Sequence, residues 1–530
     1  MRRLGVVAAV GLLAAGLAAC SSGSGSNSGS GSGSAGSPTT LRVLAGSELS
    51  DMAPVMDAAR KATGVTVQFS YTGSLDGAEK IAQGNAGDAA WFASDKYVAL
   101  AGASGKVLDH QSIMLSPVVV GVRQSVANSL GWTPPAKVGW KDIAAAAAAG
   151  KFHFAMTSPS ASNSGFSALV GVATALAGNQ ALSPSTIDAA GLQGFFKGQG
   201  LTAGSSGFLA DAYVQGQDRL DGIVNYESVL LGLNNGNRLH EKLSLIYPDE
   251  GIVTADYPLM LLNGQKRAAY TKLVQYLRTP AAQSNIERTT SRRPALPGVA
   301  LDARFPQSLL VEAPFPANLS TVQQLLDDYQ NQLRKPAHTF YVLDLSGSMQ
   351  GDRITRLKAA LRGLAGLDTS FTGHFSGFAP REKVTLVTFS DHVQDTRTFN
   401  IDSADPNSPG LSGLRNYVDS LQTGGGTAIY SALDQAYTAA GDAHRAAPDD
   451  YTSIVLMTDG ENNAGIPPSQ FLDGLQSLPP DRQGLRVFSV LFGEANPKEL
   501  QQVADATGGK VFDARNAILA DVFKEIRGYQ

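Results

Sequence analysis

The chain has 530 residues, too many for one hydrophobic core, so two or three domains are expected. Hydrophobic residues make up 43%, ordinary for globular domains, while charged residues are only 17%. The net charge of −4 gives no basic excess to draw in nucleic acid, so that class of partner is excluded.

The first residues, "MRRLGVVAAVGLLAAGLAAC", place Arg2 and Arg3 before a short apolar run. The run is too short and too rich in small residues for a membrane span, and it reads as a secretory signal. It closes in "LAAC", Leu17–Cys20, which resembles a bacterial lipoprotein lipobox. The resemblance implies cleavage before Cys20 and a covalent lipid on its sulfur. Cys20 is the single cysteine, so no disulfide framework is possible. The tract Ser21–Ser37 is almost wholly Ser and Gly. It should behave as a flexible tether with a reach of roughly 20–25 Å. Residues 1–20 are thus expected to be the signal and lipobox, and 21–37 the linker. The expected location is the extracytoplasmic face of a cell membrane, held by the lipid.

From Leu41 strands and helices alternate. "LRVLAGSEL" reads as a strand, "DMAPVMDAARKATG" as a helix closed by Gly64, and "VTVQFSYTGS" as a strand. "LDGAEKIAQG" follows as a helix, and "DAAWFAS", "SPVVVGVR" and "GKFHFAMTSP" as further strands. The alternation predicts an α/β domain over 38–300 with a largely parallel sheet. The stretches "AGSELSDM", "YTGSLDGAEKIAQG", "SPSASNSGFSAL", "DGIVNYES" and "YPDEGIVTADYP" together resemble an extracellular solute-binding protein of the ABC-transporter type, the group that holds molybdate- and sulfate-binding proteins. The resemblance implies two lobes around a cleft, with a small solute or oxyanion held by hydroxyls and helix N-termini. Carried over by motif, the ligand residues are Ser47, Thr72, Ser74, Ser162, Asn163, Ser164 and Tyr226. Taken singly, each reads more readily as an ordinary helix cap; the cluster carries the ligand reading. Asp76 and Glu227 add carboxylates beside these loops and leave the identity of the solute open.

Residues 301–336 form a connector. In "TVQQLLDDYQNQLRKP", Val322, Leu325, Leu326, Tyr329 and Leu333 recur at helical spacing. Ser320 is the expected N-cap and Pro336 the stop. An amphipathic helix here should pack on a neighbour and fix the junction.

Residues 337–530 return to α/β alternation. Strands are expected at "TFYVLD", "KVTLVTFS", "TSIVLMTDG", "LRVFSVLFG" and "GKVFDA". Helices are expected at about 353–367, 411–421, 428–444, 468–478, 497–506 and 516–527. The pattern is doubly wound and Rossmann-like, with a core expected to be separate from that of the first domain.

In "TFYVLDLSGSMQG" an apolar strand ends in oxygen-bearing side chains at alternate positions, Asp344, Ser346 and Ser348. Ligands of open α/β sheets bind beyond the carboxyl ends of strands. A hard divalent cation such as Mg²⁺ prefers oxygen donors. Thr427 in the Gly-rich "TGGGTAIY" and Asp459 after the strand "IVLMTDGEN" can complete the set. These five residues resemble the metal-ion-dependent adhesion site of the von Willebrand factor A domain. The resemblance implies a bound Mg²⁺, Mn²⁺ or Ca²⁺ and a coordination position open to an acidic residue of a protein partner.

No phosphate loop, His-Glu-x-x-His or Gly-x-Ser-x-Gly motif is present, and no catalytic triad can be assembled, so an enzyme is not expected. Trp91, Trp132 and Trp140 are expected in the core. The leading expectation is a lipid-anchored binding protein that makes a metal-dependent protein contact. The alternative is the substrate-binding lipoprotein of an ABC transporter, with the C-terminal domain as a docking accessory.

Overall fold

A computed structural model describes residues 39–307, 310–316, 318–479, 482–515 and 517–530. The signal, Cys20 and the tether lie outside the described residues. Among the described residues no helix is long and apolar enough to cross a membrane.

The first domain has two lobes, each built on a sheet. In lobe 1 the strand order is Val65–Thr72, Thr39–Gly46, Ala89–Trp91, Pro258–Leu261, Asp109–Ser112. The first three run parallel, whereas Pro258–Leu261 is antiparallel to both neighbours. Lobe 2 centres on the long strand Met114–Arg123, antiparallel to Gly222–Tyr226, Leu243–Ile246 and Thr254–Ala255. The largely parallel sheet expected from the alternation is therefore mixed. The chain crosses between lobes three times, and the returning strand is what inserts an antiparallel neighbour into each sheet. Helix ends follow their sequence signals: Gly64 stops the helix Ala53–Thr63 at φ 72°, where its N–H reaches Arg60 O.

The connector helix is Leu319–Asp328, continued by a wider turn over Tyr329–Leu333. It is preceded by Asn318, so Ser320 lies inside the helix and is not its N-cap. Val322, Leu325, Leu326, Tyr329 and Leu333 are buried in the core of the first domain, as their spacing predicts. Tyr329 meets Phe196 at 5.1 Å between ring centroids, and Gln330 donates to Ser160 Oγ at 2.9 Å.

The second domain has one six-stranded sheet in the order Val393–Ile401, Glu382–Phe389, Ala337–Asp344, Tyr451–Thr458, Arg486–Leu491, Lys510–Asp513. All pairs are parallel except the edge strand Val393–Ile401. Helices cover both faces, which explains why Ala337–Asp344 reads as a nearly continuous apolar run. The edge strand was not anticipated. Its sequence, VQDTRTFNI, is polar because it is largely exposed. The short helix Phe371–Ser376 was also unanticipated, and the last helix begins at Leu519.

The two cores are not separate. Leu201, Ala203, Leu209 and Tyr213 of lobe 2 belong to one buried cluster with Tyr341, Phe523, Ile526 and Tyr529 of the second domain. The C-terminal helix Leu519–Arg527 is the reason: its apolar face and Tyr529 serve both sides.

Candidate functional sites

Five residues from three loops meet at the carboxyl end of the second-domain sheet. Asp344 ends the central strand, fully buried. Its Oδ1 accepts the Ser346 N–H at 2.8 Å and its Oδ2 accepts Thr458 Oγ1 at 2.7 Å. These bonds hold the carboxylate behind the loop, with Ser346 buried and Ser348 exposed. Ser346 Oγ and Ser348 Oγ are 2.9 Å apart, and Ser348 donates to Asp459 Oδ1 at 2.8 Å. Thr427 comes from the Gly-rich loop, fixed by its N–H to Asn463 Oδ1 at 2.7 Å. A side chain at Gly460 would meet Ser348 Oγ at 3.6 Å and Thr427 Oγ1 at 3.8 Å, so those hydroxyls flank one space. Arg353 pairs with Asp459 Oδ2. No local pattern marks this arginine, which sits in the first turn of the helix Asp352–Arg362.

Burial raises the Asp344 carboxyl above the ordinary range, opposed by its hydrogen bonds to Ser346 and Thr458. Among the described residues no group of three His, Cys, Asp or Glu is placed to hold a metal. The donor set is instead two carboxylates and three hydroxyls. All are hard oxygens, a chemistry that fits Mg²⁺ or a similar cation.

The first-domain cleft gathers a second group. Ser47 Oγ lies 2.7 Å from Ser205 Oγ across the lobes and accepts the Gly207 N–H at 3.0 Å. Ser164 Oγ is 2.7 Å from Ser206 Oγ and 2.8 Å from Thr157 Oγ1, and Ser162 lies 3.4 Å from Ser206. Asn163 donates to the Tyr226 hydroxyl at 3.1 Å. Ser162 and Ser205 stand at N-cap positions, yet neither side chain caps its helix. Their hydroxyls are turned into the shared layer, so the cap reading does not describe them. Asn163, Ser206 and Tyr226 of this layer stand at the starts of Asn163–Leu176, Ser206–Gly216 and Glu227–Asn235.

Of the seven cleft candidates, Ser47, Ser162, Asn163, Ser164 and Tyr226 are joined within this layer. Thr72 and Ser74 stand apart at its edge: Thr72 donates to Asp76, and Ser74 opens the helix Ser74–Gln83. The carboxylates that complicated the sequence reading are paired off. Asp76 binds Lys80 at 2.5 Å, and Glu227 binds Arg293 through both oxygens at 2.7 Å. Ser205 and Ser206 were missed, although "SSGF" repeats the "SGF" of Ser164–Phe166. In both triplets the glycine permits close approach: a Cβ at Gly165 would lie 2.2 Å from Thr157 O, and one at Gly207 2.8 Å from Ser47 Oγ. Glu48 was missed too. Burial pushes its carboxyl up to about 6, against the pull of Arg292. A groove of about 570 Å³, bordered by residues of both lobes, reaches Ser47 and Glu48.

A family model described as bacterial extracellular solute-binding protein matches residues 41–289, and one described as von Willebrand factor type A domain matches residues 340–525. The chain joins a solute-binding-type domain to a von Willebrand factor A (VWA) domain. Among solved structures, the sulfate-binding protein SubI of Mycobacterium tuberculosis H37Rv is similar at 21% identity and TM-score 0.42, covering 54% of this chain and 96% of its own. A von Willebrand factor type A protein of Catenulispora acidiphila is similar at 22% identity and TM-score 0.29, covering 37% of this chain and 42% of its own. A curated relative is inter-alpha-trypsin inhibitor heavy chain H1 of Bos taurus, 26% identical over 160 residues. That match spans 30% of this chain and 16% of the relative. The solute-binding domain implies an extracytoplasmic location.

Proposed function

We propose that this is a lipid-anchored extracytoplasmic binding protein whose VWA domain makes a divalent-metal-dependent contact with a protein partner. The observation carrying this reading is the convergence of Asp344, Ser346, Ser348, Thr427 and Asp459 at one end of the sheet. Ser346, Ser348 and Thr427 would touch the ion, and Asp344 and Asp459 would balance its charge. The ion would polarise an incoming acidic group from the partner. Among these five residues the hydroxyl–carboxylate pair, Ser348 on Asp459, is shared with Arg353, and the proposed activity is binding, not catalysis.

The test uses the compact unit 39–530. Mn²⁺ titration followed by electron paramagnetic resonance should give one site, lost in Asp344→Ala. Affinity capture in Mg²⁺ should retain a partner that EDTA and Asp344→Ala both release. Capture unchanged by either treatment overturns the metal contact. In the full chain, Cys20→Ser should move the protein from the membrane fraction to the soluble one.

The cleft favours a second reading, a substrate-binding receptor of an ABC transporter. Its buried hydroxyl layer and converging helix starts suit a small solute or oxyanion. Sulfate, molybdate and phosphate titrated against the same unit would test it, with Ser164→Ala and Ser206→Ala as controls.

A further inference from the structure

The two lobes of the solute-binding domain are closed on one another. Besides the Ser47–Ser205 contact, the Leu75 N–H reaches Ala161 O at 3.3 Å, and the Tyr97 hydroxyl donates to Pro159 O. Leu75 and Tyr97 belong to lobe 1, Ala161 and Pro159 to lobe 2. The mouth formed by Thr72–Gly73 and Ala161 opens into a chamber of about 340 Å³. The third wall of that chamber comes from the VWA domain: Thr372 and Phe375 of the short helix, and Asp521, Val522 and Lys524 of the C-terminal helix.

The VWA domain touches the lobes unequally. On lobe 2 the contact is core-like. Tyr529 and Ile526 share a buried cluster with Ala203 and Leu209, and a Cβ on Gly528 would sit 2.7 Å from Gly204 Cα. Lys510 Nζ also lies 3.5 Å from the centre of the Phe208 ring. Separating these surfaces would expose a large apolar area, so lobe 2 and the VWA domain move as one body. On lobe 1 the contact is narrow. The Thr372 N–H donates to Glu79 Oε2 at 3.0 Å, and Phe371 packs beside it, only partly buried. Glu79 is 7% exposed, and its other oxygen accepts Gln83 Nε2 at 3.0 Å.

We propose that the VWA domain is a clamp on the closed form of the solute-binding domain, bolted to lobe 2 and latched to lobe 1 by the helix Phe371–Ser376. Opening the hinge carries lobe 1 away from lobe 2 and from the VWA domain together, so it must break the Glu79–Thr372 contact. The latch is small enough to release without unfolding either body. The VWA domain thereby sets how often the cleft opens. The clamp requires neither a metal nor a partner, and its test is independent of both.

The experiment measures the lobe separation in the full chain with Cys20→Ser, which removes the single native cysteine. Spin labels go on Lys61→Cys in lobe 1 and Lys151→Cys in lobe 2, both exposed positions. Double electron–electron resonance should give one short distance population for the otherwise unaltered chain. Glu79→Ala and Phe371→Ala should each add a second, longer population. Glu79→Gln keeps an acceptor for the Thr372 N–H and should restore the single short one. Circular dichroism and thermal midpoints establish that each variant is folded. A distribution unchanged in both alanine variants overturns the clamp, as does a broad two-population distribution in the unaltered chain.

Discussion

The Ser348 hydroxyl donates to Asp459 Oδ1 at 2.8 Å, while Arg353 binds the other oxygen of the same carboxylate. Asp459 thus anchors the proposed metal loop and already faces a cation. A divalent ion arriving at the hydroxyls must share that carboxylate with the guanidinium. Arg353→Ala should therefore tighten Mn²⁺ binding by about fivefold, equivalent to about 1 kcal/mol of relieved like-charge repulsion. Asp344→Ala and Asp459→Ala should weaken it at least about tenfold. Isothermal titration of the three variants checks both directions.

Glu48 makes stability pH-dependent. Its folded carboxyl titrates at about 6 because it is buried, against an ordinary value of 4.5. The folded state holds the proton more tightly, so this contribution is fully present below pH 4.5 and is lost as pH rises through 6. The loss amounts to about 2 kcal/mol. Glu48→Gln should flatten that slope and be more stable than the parent at pH 7 by a similar amount. Urea unfolding between pH 4.5 and 7.5 reads both.

Glu382 joins two buried arginines, Arg334 of the connector and Arg527 of the C-terminal helix. Burial opposes its ionisation, yet the two guanidiniums hold its carboxyl below the ordinary range. Glu382→Gln would leave both arginines without a counter-charge in a site only 3% exposed. The expected cost is about 3 kcal/mol in urea or thermal unfolding.

Unfolding of 39–530 should be one cooperative event. Trp91, Trp132 and Trp140 all lie in the solute-binding domain, so their fluorescence reports that domain alone. Far-UV circular dichroism reports both. Because lobe 2 and the VWA domain share a core, the two transitions should coincide. Tyr529→Ala, which empties the space among Phe488, Phe512 and Gly204, should lower both midpoints together. Its cost should be about 3–5 kcal/mol.

The convergence of Asp344, Ser346, Ser348, Thr427 and Asp459 was legible because each follows a local signal: an apolar run ending in Asp, a Gly-rich loop, a strand ending in "TDG". Strand ends place Asp344, Ser346, Ser348 and Asp459 together, while Thr427 joins them from the loop before the helix Ile429–Ala446. The cleft was legible only in part. Ser162 and Ser164 announce themselves beside a helix start, but whether a hydroxyl caps its own helix or faces a neighbour depends on packing that no local pattern encodes. Glu48 follows Ser47 in an unremarkable "SEL", and only the folded lobes reveal that it is buried. The strand Val393–Ile401 was hidden because an exposed edge does not need apolar alternation. The shared core was hidden for a further reason. The apolar stripe of the C-terminal helix shows that it packs, not what it packs on.

The unequal seating of the VWA domain has a mechanical consequence. Tension applied between the first strand, beginning at Thr39, and the loops at the carboxyl end of the VWA sheet has two routes. One runs into lobe 2, by the three inter-lobe crossings and the contacts of the closed lobes at Ser205, Ala161 and Pro159, and the other runs directly across the Glu79–Thr372 contact. The direct route is the shorter and weaker, so it bears load early and yields first. A tug on the VWA domain would be felt as an opening of the cleft before either domain lost its fold.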